Sequence, residues 1–204
     1  MRYLALGDSY TIGESVEPAE RWPVHLARLL REQGVPMDDP LIIAATGWTT
    51  DDLSAGIERV SPQGVFDLVS LLIGVNNQYR GREAAEYRRQ FSALLQRAIG
   101  LAGGRPGRVL VLSIPDWGVT PFAEGRDRKQ IGAEIDRFNA INREESARAA
   151  APYLDITPGS RRAAADPALI AGDGLHPSGK MYADWAAAGL GMALEALAKT
   201  QAGW

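Results

Sequence analysis

The chain has 204 residues, of which 46% are hydrophobic and 23% charged, with a formal net charge of −3 and no cysteine. These values are typical of one globular domain with its own hydrophobic core, and they exclude a disordered or collagen-like chain, disulfide bonds and thiolate chemistry. The slightly acidic balance gives no sign of a nucleic-acid-binding surface.

Neither a membrane-spanning segment nor a leader is evident in the sequence. The most apolar stretch, 183–198, contains Asp184, Glu195 and two glycines, so it is interpreted as an amphipathic helix rather than a membrane span, which needs about 18 uninterrupted apolar residues. The N-terminus reaches a polar turn by residue 7, before the apolar length that a signal peptide requires. We therefore expect a cytoplasmic protein without membrane insertion.

Short apolar runs alternate with longer helical patterns along the chain. Runs rich in Val, Ile and Leu are typical of strands buried on both faces, and they predict five strands at 4–6, 41–45, 68–73, 109–114 and 153–156. Apolar residues at helical spacing predict helices around 23–33, 87–98, 131–138 and 178–199. This alternation predicts an α/β fold, a parallel sheet with helices on both faces, in a single domain over 1–204.

Chemically useful side chains follow the predicted strands. In a parallel sheet of this kind, ligands bind beyond the carboxyl ends of the strands. The segments at those positions, and one far downstream, are Gly7-Asp8-Ser9-Tyr10, Thr46-Gly47-Trp48, Gly74-Val75-Asn76-Asn77 and Asp173-Gly174-Leu175-His176.

These segments contain the residue types that acyl transfer requires. A serine such as Ser9 is a weak nucleophile, so a neutral imidazole such as His176 must take its proton. A carboxylate such as Asp173, three residues before the histidine, must orient that ring and stabilise the cation that forms. The tetrahedral intermediate needs fixed donors, which the N–H groups of Ser9 and Gly47 and the side-chain amide of Asn76 can supply.

Each of these residues, taken alone, has a plainer interpretation. Ser9 is also a good helix cap, and Gly47, Asn76 and Asp173 are common turn residues. The other histidine, His25, lies within a predicted helix, where packing or solvent exposure is more usual than catalysis. The conjunction favours catalysis, because four separate segments supply complementary parts of one reaction.

The four segments together resemble the signature blocks of the SGNH (GDSL-type) hydrolases, in family order and over nearly the whole chain. The resemblance implies a flavodoxin-like three-layer α/β/α fold and a metal-independent serine esterase without a cofactor. Carried over by position, it implies that Ser9 is the nucleophile, His176 the base and Asp173 its partner. It also implies an oxyanion hole formed by Ser9, Gly47 and Asn76.

Three positions differ from the family blocks. Tyr10 stands where the family name motif has Leu, and Asn77 stands where Asp usually follows the oxyanion Asn. Ala44 and Ala45 occupy the positions where an Asn often precedes the glycine of the second block. None of these differences removes a proposed catalytic group.

Aromatic residues near the strand ends are expected to form the substrate pocket, with ordinary packing as the alternative. They are Tyr10, Trp48, Tyr79 and Trp117. Because no long insertion suggests a lid, the sequence favours small ester substrates with short to medium acyl chains. A lysophospholipase or thioesterase, a carbohydrate acetylesterase and an inactive ligand-binding relative remain alternatives within the family.

Other classes fit the sequence less well. A flavodoxin-like nucleotide-binding module is the main rival, but the segment 7–13 lacks the Lys-Ser/Thr ending of a phosphate-binding loop. The chain contains no Gly-x-Ser-x-Gly elbow, which excludes an α/β-hydrolase. Two distant histidines and no cysteine give no pattern for a first-row metal site. We expect a small-molecule ester as the partner, and the sequence does not indicate an oligomeric state.

Overall fold

A parallel five-stranded sheet forms the centre of the computed structural model, which describes residues 1–198. The strands are β1 (Tyr3–Gly7), β2 (Leu41–Ala44), β3 (Leu68–Leu72), β4 (Val109–Leu112) and β5 (Tyr153–Leu154). They lie in the order β2-β1-β3-β4-β5, and every neighbouring pair is parallel. The sequence-based prediction of an α/β fold with five parallel strands is confirmed.

Helices connect the strands and cover both faces of the sheet. The α-helices are α1 (Ser9–Ile12), α2 (Trp22–Glu32), α3 (Thr50–Val60), α4 (Val75–Tyr79), α5 (Ala84–Leu101), α6 (Arg128–Arg148), α7 (Thr157–Arg161) and α8 (Gly179–Ala198). Short 3-10 helices span Pro18–Glu20, Pro106–Arg108, Trp117–Val119, Pro121–Ala123, Arg162–Ala164 and Pro167–Leu169. The predicted helix at 178–199 corresponds to α8, and residue 199 lies outside the described residues.

Burial explains why these runs form strands. Every residue of β1, β3 and β4 is buried, as their Leu- and Val-rich sequences require. The edge strand β2 is less protected, and Leu41 is 41% exposed. Right-handed crossovers place α2 on one face and α3, α5 and α6 on the other, and α8 packs against α2 to complete the first layer.

The strand order creates a crevice at one edge of the sheet. The chain leaves β1 toward β2 on one side, and the next strand, β3, returns to the other side of β1. The following helices therefore lie on opposite faces, and ligands bind at such a switch point, beyond the carboxyl ends of the strands. Ser9, Gly47 and Asn76 follow β1, β2 and β3 directly, so their segments meet at this edge.

Some local features differ from the sequence-based expectation, and two of them have a clear physical reason. The predicted strand at 153–156 ends at Leu154, because the N–H groups of Ile156 and Thr157 donate to the hydroxyl of Ser113 (2.8 and 3.0 Å) instead of to a strand. Helix α3 was not predicted, although its start carries a Thr-x-x-Asp pattern in which the backbone N–H of Thr49 donates to Asp52 (3.0 Å).

The most apolar helix, α8, packs one face against the protein. Its buried residues recur at helical spacing and include Tyr182, Trp185, Gly189 and Ala193. Within residues 1–198, no helix is both long and apolar enough to span a lipid bilayer.

Candidate active site

Ser9 lies at the first position of α1, where β1 turns directly into the helix. A side chain at Gly7 would collide with Thr11, so only glycine permits this tight turn. Asp8 caps the helix, and its side-chain Oδ1 accepts the N–H of Tyr10 at 3.1 Å. Because the first N–H groups of a helix have no acceptor inside it, the N–H of Ser9 is available to a ligand.

A cavity of about 150 Å³ lies beside Ser9 at the carboxyl ends of the strands. Residues from four separate segments line it: Ser9, Tyr10, Val75, Asn76, Tyr79, Trp117, Phe122, Leu175 and His176. The structure therefore brings together Ser9, His176 and Asn76 with three of the four aromatic residues that the sequence singled out.

Asp173 and His176 lie in a tight loop before α8. The carboxylate of Asp173 faces the ring, with Oδ2 2.6 Å from Nδ1 of His176. Its other oxygen accepts the backbone N–H groups of Leu175 (2.9 Å) and His176 (3.0 Å). An antiparallel bridge between Ile170 and Pro177 closes the base of the loop. The three-residue spacing thus fixes the carboxylate to both the ring and the backbone.

The carboxylate of Asp173 is held in its ionised form. Partial burial raises the pKa of Asp173, but hydrogen bonds from the His176 ring, from the N–H groups of Leu175 and His176 and from the Ser15 hydroxyl outweigh it. The net result is a pKa well below the ordinary aspartate value. An ionised partner stabilises an imidazolium, as a general base needs during the reaction.

His176 is buried at the wall of the cavity, where an aromatic ring packs against it. The ring of Tyr10 meets it edge to face, with centroids 5.5 Å apart, and Tyr10 in turn packs against Trp185 of α8 (6.4 Å). These contacts fix the plane of the imidazole. Ser9 and His176 line the same cavity, and no hydrogen bond joins their side chains in the described residues; such contacts are often long before a substrate binds.

Asn76 and Gly47 are linked through the backbone of Trp48. The Asn76 amide donates to the carbonyl of Trp48 at 2.9 Å, which leaves its second N–H free to face the cavity. Gly47 has a φ of +79°, a left-handed conformation that favours glycine. Its carbonyl accepts from Arg80 at 2.6 Å, and Gly47 is not among the residues that line the cavity.

Trp48 is placed differently from the other aromatic residues. Its ring packs against Gly56 of α3, where a side chain would collide with it, and the Arg59 guanidinium lies 5.9 Å from the ring centroid. Trp48 is absent from the cavity lining, so the structure does not bring it to the predicted substrate pocket. Its backbone carbonyl, not its ring, contacts the site.

Asn77, which differs from the family pattern, braces the third segment against α3. Its carbonyl oxygen accepts the N–H of Thr50 at 3.1 Å, and its amide donates to the Thr50 hydroxyl at 2.7 Å. Both residues are buried. A neutral amide pairs with both groups of Thr50, so this loop is fixed without a carboxylate.

Three aromatic rings form the outer wall of the cavity, and we call them the aromatic wall: Tyr79, Trp117 and Phe122. The guanidinium of Arg126 lies 5.2 to 5.4 Å from all three centroids and donates to the Tyr79 hydroxyl at 3.1 Å. The indole N–H of Trp117 donates to Gln78 at 2.8 Å. Sequence reasoning missed Phe122, although it follows directly on the loop after β4.

The carboxyl of Asp8 is fully buried next to the nucleophile. Burial raises the pKa of Asp8 to about 8, despite a lowering contribution from the N–H of Tyr10. One of its oxygens has no hydrogen-bond partner among the described residues. A carboxyl with this pKa is mostly neutral at pH 7, so it places little negative charge beside Ser9.

Comparison with known proteins identifies the family of the chain. The family model described as the GDSL-like Lipase/Acylhydrolase family matches residues 5–183. No curated protein sequence shows significant similarity to the chain.

Several solved structures share the fold. "TesA" superposes with a TM-score of 0.76 at 18% identity, over 97% of this chain and 100% of its own. A lipase/acylhydrolase from Enterococcus faecalis gives a TM-score of 0.70 at 21% identity, over 98% of this chain and 97% of its own. The acetylxylan esterase Axe2 from Geobacillus stearothermophilus gives 0.72 at 19% identity, over 94% and 93%.

Proposed function

Because the chain belongs to the GDSL-like lipase/acylhydrolase family, we propose that it is a serine esterase that cleaves carboxylic esters of short to medium acyl chains. Ser9 is the nucleophile, His176 the general base and Asp173 the partner of the base. The observation that carries the proposal is the 2.6 Å contact between His176 and Asp173 at the wall of the cavity that also contains Ser9.

In the first half of the reaction, an acyl group is transferred to the enzyme. The unprotonated ring nitrogen of His176 takes the proton of the Ser9 hydroxyl while Oγ attacks the ester carbonyl carbon. Asp173 stabilises the imidazolium that results. The tetrahedral intermediate then collapses, the bond to the alcohol oxygen breaks, and His176 returns its proton to the departing alcohol.

In the second half, water releases the acyl group. His176 takes a proton from a water molecule, whose oxygen attacks the carbonyl carbon of the acyl-enzyme. Collapse of the second intermediate breaks the bond to Ser9 and returns the proton to its Oγ. The products are one alcohol and one carboxylic acid for each water consumed.

The negative oxygen of both intermediates is stabilised by three donors: the N–H of Ser9, the N–H of Gly47 and the second amide hydrogen of Asn76. Fixed donors of this kind are worth about 10²–10³-fold in rate each. The Asn76 contact with Trp48 supports the assignment, because it leaves one amide hydrogen unused and holds the side chain in place. The mostly neutral Asp8 adds no repulsion.

The chemistry is proposed to proceed without a metal. The residues support this, because the Asp173 carboxylate is already engaged by His176 and the loop backbone. Among residues 1–198, no three His, Asp or Glu side chains converge in a way that would hold an ion.

The size of the cavity supports a small acyl group. A volume of about 150 Å³ is below the roughly 300–1,000 Å³ of pockets for drug-sized ligands. The second candidate, a carbohydrate acetylesterase, fits this size equally well, and one structural neighbour bears the name acetylxylan esterase.

Hydrolysis of p-nitrophenyl acetate, butyrate and octanoate by the wild type and by Ser9→Ala tests the proposal. We expect the wild type to prefer acetate or butyrate, and Ser9→Ala to lose about 10³-fold or more of the rate. Ser92→Ala, at a half-buried serine of α5, is the matched control and should retain full activity. Equal activity in Ser9→Ala and the wild type would reject the serine mechanism, and an acetylated sugar as the only substrate would select the second candidate.

A further inference from the structure

Two residues that follow the nucleophile helix contact both sides of the site. Glu14 and Ser15 come directly after Gly13, which ends α1. We propose that they form a clamp, the Glu14–Ser15 clamp, which positions the acid–base pair on one side and the second oxyanion segment on the other. The inference rests on the proposed function and adds two positioning residues to it.

Ser15 holds the carboxylate that partners the general base. Its hydroxyl donates to Oδ2 of Asp173 at 2.8 Å, across 158 positions of sequence. The same oxygen faces Nδ1 of His176 at 2.6 Å. The Ser15 hydroxyl therefore holds the same oxygen that contacts the ring and shares its negative charge.

The backbone of Ser15 is strained in the conformation that allows this contact. Its φ is +63°, in the left-handed region that residues with a Cβ disfavour. Gly13, two residues earlier, is also left-handed, with φ +68°. Together these two residues turn the chain back from α1 toward Asp173. A glycine would adopt the conformation of Ser15 without strain, so the hydroxyl is what a serine supplies here.

Glu14 holds the other side of the site. Its carboxylate accepts a short hydrogen bond from the hydroxyl of Thr46. Thr46 directly precedes Gly47, whose N–H is a proposed oxyanion donor, and both lie in an exposed or half-exposed loop. The contact therefore ties the segment after β2 to the segment after β1, which carries Ser9.

Other titratable groups lie close to Asp173. Its charge acts on Tyr10 and Tyr182, on which the carboxyl groups of Asp8, Asp116 and Glu14 also act. Burial raises the pKa of both tyrosines above the ordinary value, so both stay neutral across an assay range of pH 5 to 9. The Ser15 hydroxyl contributes to the low pKa of Asp173. Removing the Ser15 hydroxyl leaves more of the negative charge of the Asp173 carboxylate available to stabilise an imidazolium.

The Ser15 half is tested with Ser15→Gly, which removes the hydroxyl and relieves the backbone. We expect kcat to fall about tenfold, the size of one lost hydrogen bond to a charged group, with KM unchanged and no loss of thermal stability. The rise of kcat/KM on the acidic side of its pH profile should move to higher pH. Ser15→Asn, which tolerates the left-handed conformation and carries an N–H donor, should recover part of the rate.

Ser61→Gly is the matched control, because Ser61 is also left-handed (φ +45°) and lies at the end of α3. It should change neither kcat nor the pH profile. A Ser15→Gly enzyme with unchanged kcat and pH profile, or the same changes in Ser61→Gly, would overturn this half of the clamp.

The Glu14 half is tested with Glu14→Ala and Glu14→Gln. Both remove the negative charge, but only Gln keeps an oxygen that can accept from Thr46. We expect Glu14→Ala to lower kcat about tenfold and Glu14→Gln to restore most of it. Equal rates in the two variants would show that the hydrogen bond to Thr46 does not matter, and would overturn this half.

A measurement without substrate separates the clamp from the proposed function. The chain has two histidines, so NMR at a fixed pH resolves the His176 ring and uses His25 as an internal reference. We expect the ring resonances of His176 to shift in Ser15→Gly, because the hydroxyl that contacts its carboxylate partner is lost, and those of His25 to stay constant. If Ser9→Ala keeps esterase activity while this shift occurs, the proposed serine mechanism is rejected and the Glu14–Ser15 clamp is retained. If no shift occurs, the Ser15 contact is not a positioning contact.

Discussion

The side-chain amide of Asn76 donates to the backbone carbonyl of Trp48 at 2.9 Å. This contact joins the segment after β3 to the segment that contains Gly47, so two proposed oxyanion donors are held by one hydrogen bond. An amide has two N–H groups, and this contact leaves the second one unused. The same side chain can therefore hold the two segments together and donate to the oxyanion, as proposed.

Asn76→Ala is expected to lower kcat by about 10²–10³-fold, because one fixed donor to the oxyanion is lost. Asn76 is half-buried, so the free energy of unfolding should change little. Steady-state kinetics with p-nitrophenyl acetate and urea denaturation measure both quantities. Near-normal turnover in the variant would remove Asn76 from the oxyanion hole.

Asn77→Ala provides the opposite signature at the neighbouring position. Its buried amide makes two hydrogen bonds to Thr50, and loss of such contacts leaves buried groups unpaired at about 1–3 kcal/mol. We therefore expect Asn77→Ala to lower the free energy of unfolding clearly and to have a smaller effect on kcat. The reverse pattern would mean that the roles of the two asparagines are exchanged.

The aromatic wall is expected to set the acyl-chain length. Phe122 is 42% exposed, so Phe122→Ala opens the cavity without the stability loss that removal of the buried Trp117 would cause. Each additional buried methylene is worth about 0.8 kcal/mol, so burial of about two more methylenes in the opened cavity should raise the ratio of octanoate to acetate kcat/KM about tenfold. Met192→Ala, a similarly exposed residue of α8, is the control. An unchanged ratio in Phe122→Ala would place the acyl group elsewhere.

Asp8 is expected to make stability depend on pH. Burial raises its pKa to about 8 in the folded state, from 3.8 as the ordinary value. Between these values the folded chain binds a proton that the unfolded chain has lost, so stability falls as the pH rises, by up to about 1.4 kcal/mol per pH unit. Asp8→Asn, which still caps α1, lacks this dependence.

Urea denaturation at several pH values tests the Asp8 prediction. The stability of Asp8→Asn relative to the wild type should increase from pH 4 to pH 8 and then level off. Asp127 caps α6 from an exposed position, and Asp127→Asn should show no comparable trend. A constant difference for Asp8→Asn would mean that the buried carboxyl titrates normally.

The sequence predicted the parts of the molecule that depend on local patterns. Buried strands such as β1 and β3 appear as short apolar runs, and the order of strands and helices dictates a parallel sheet. The pairing of Asp173 with His176 is also local, because three residues of one loop bring the two side chains together.

Long-range contacts left no comparable signal in the sequence. The hydroxyl of Ser15 meets Asp173 only because the sheet brings together two segments 158 positions apart. Phe122 enters the cavity because the N–H of this residue donates to the carbonyl of Gly174 at 3.0 Å, next to the acid–base loop. The ring of Trp48 turns to α3, where Gly56 leaves space for it. These placements depend on tertiary packing, which a single sequence does not show.

The proposed covalent intermediate forms on Ser9. Incubation with a p-nitrophenyl alkylphosphonate, followed by intact-mass and peptide mass spectrometry, tests this role of Ser9 directly. We expect one phosphonyl group per chain, located on Ser9, with loss of esterase activity in proportion to labelling and no labelling of Ser9→Ala. Stoichiometric labelling at another residue, or inactivation of Ser9→Ala at the wild-type rate, would contradict this role.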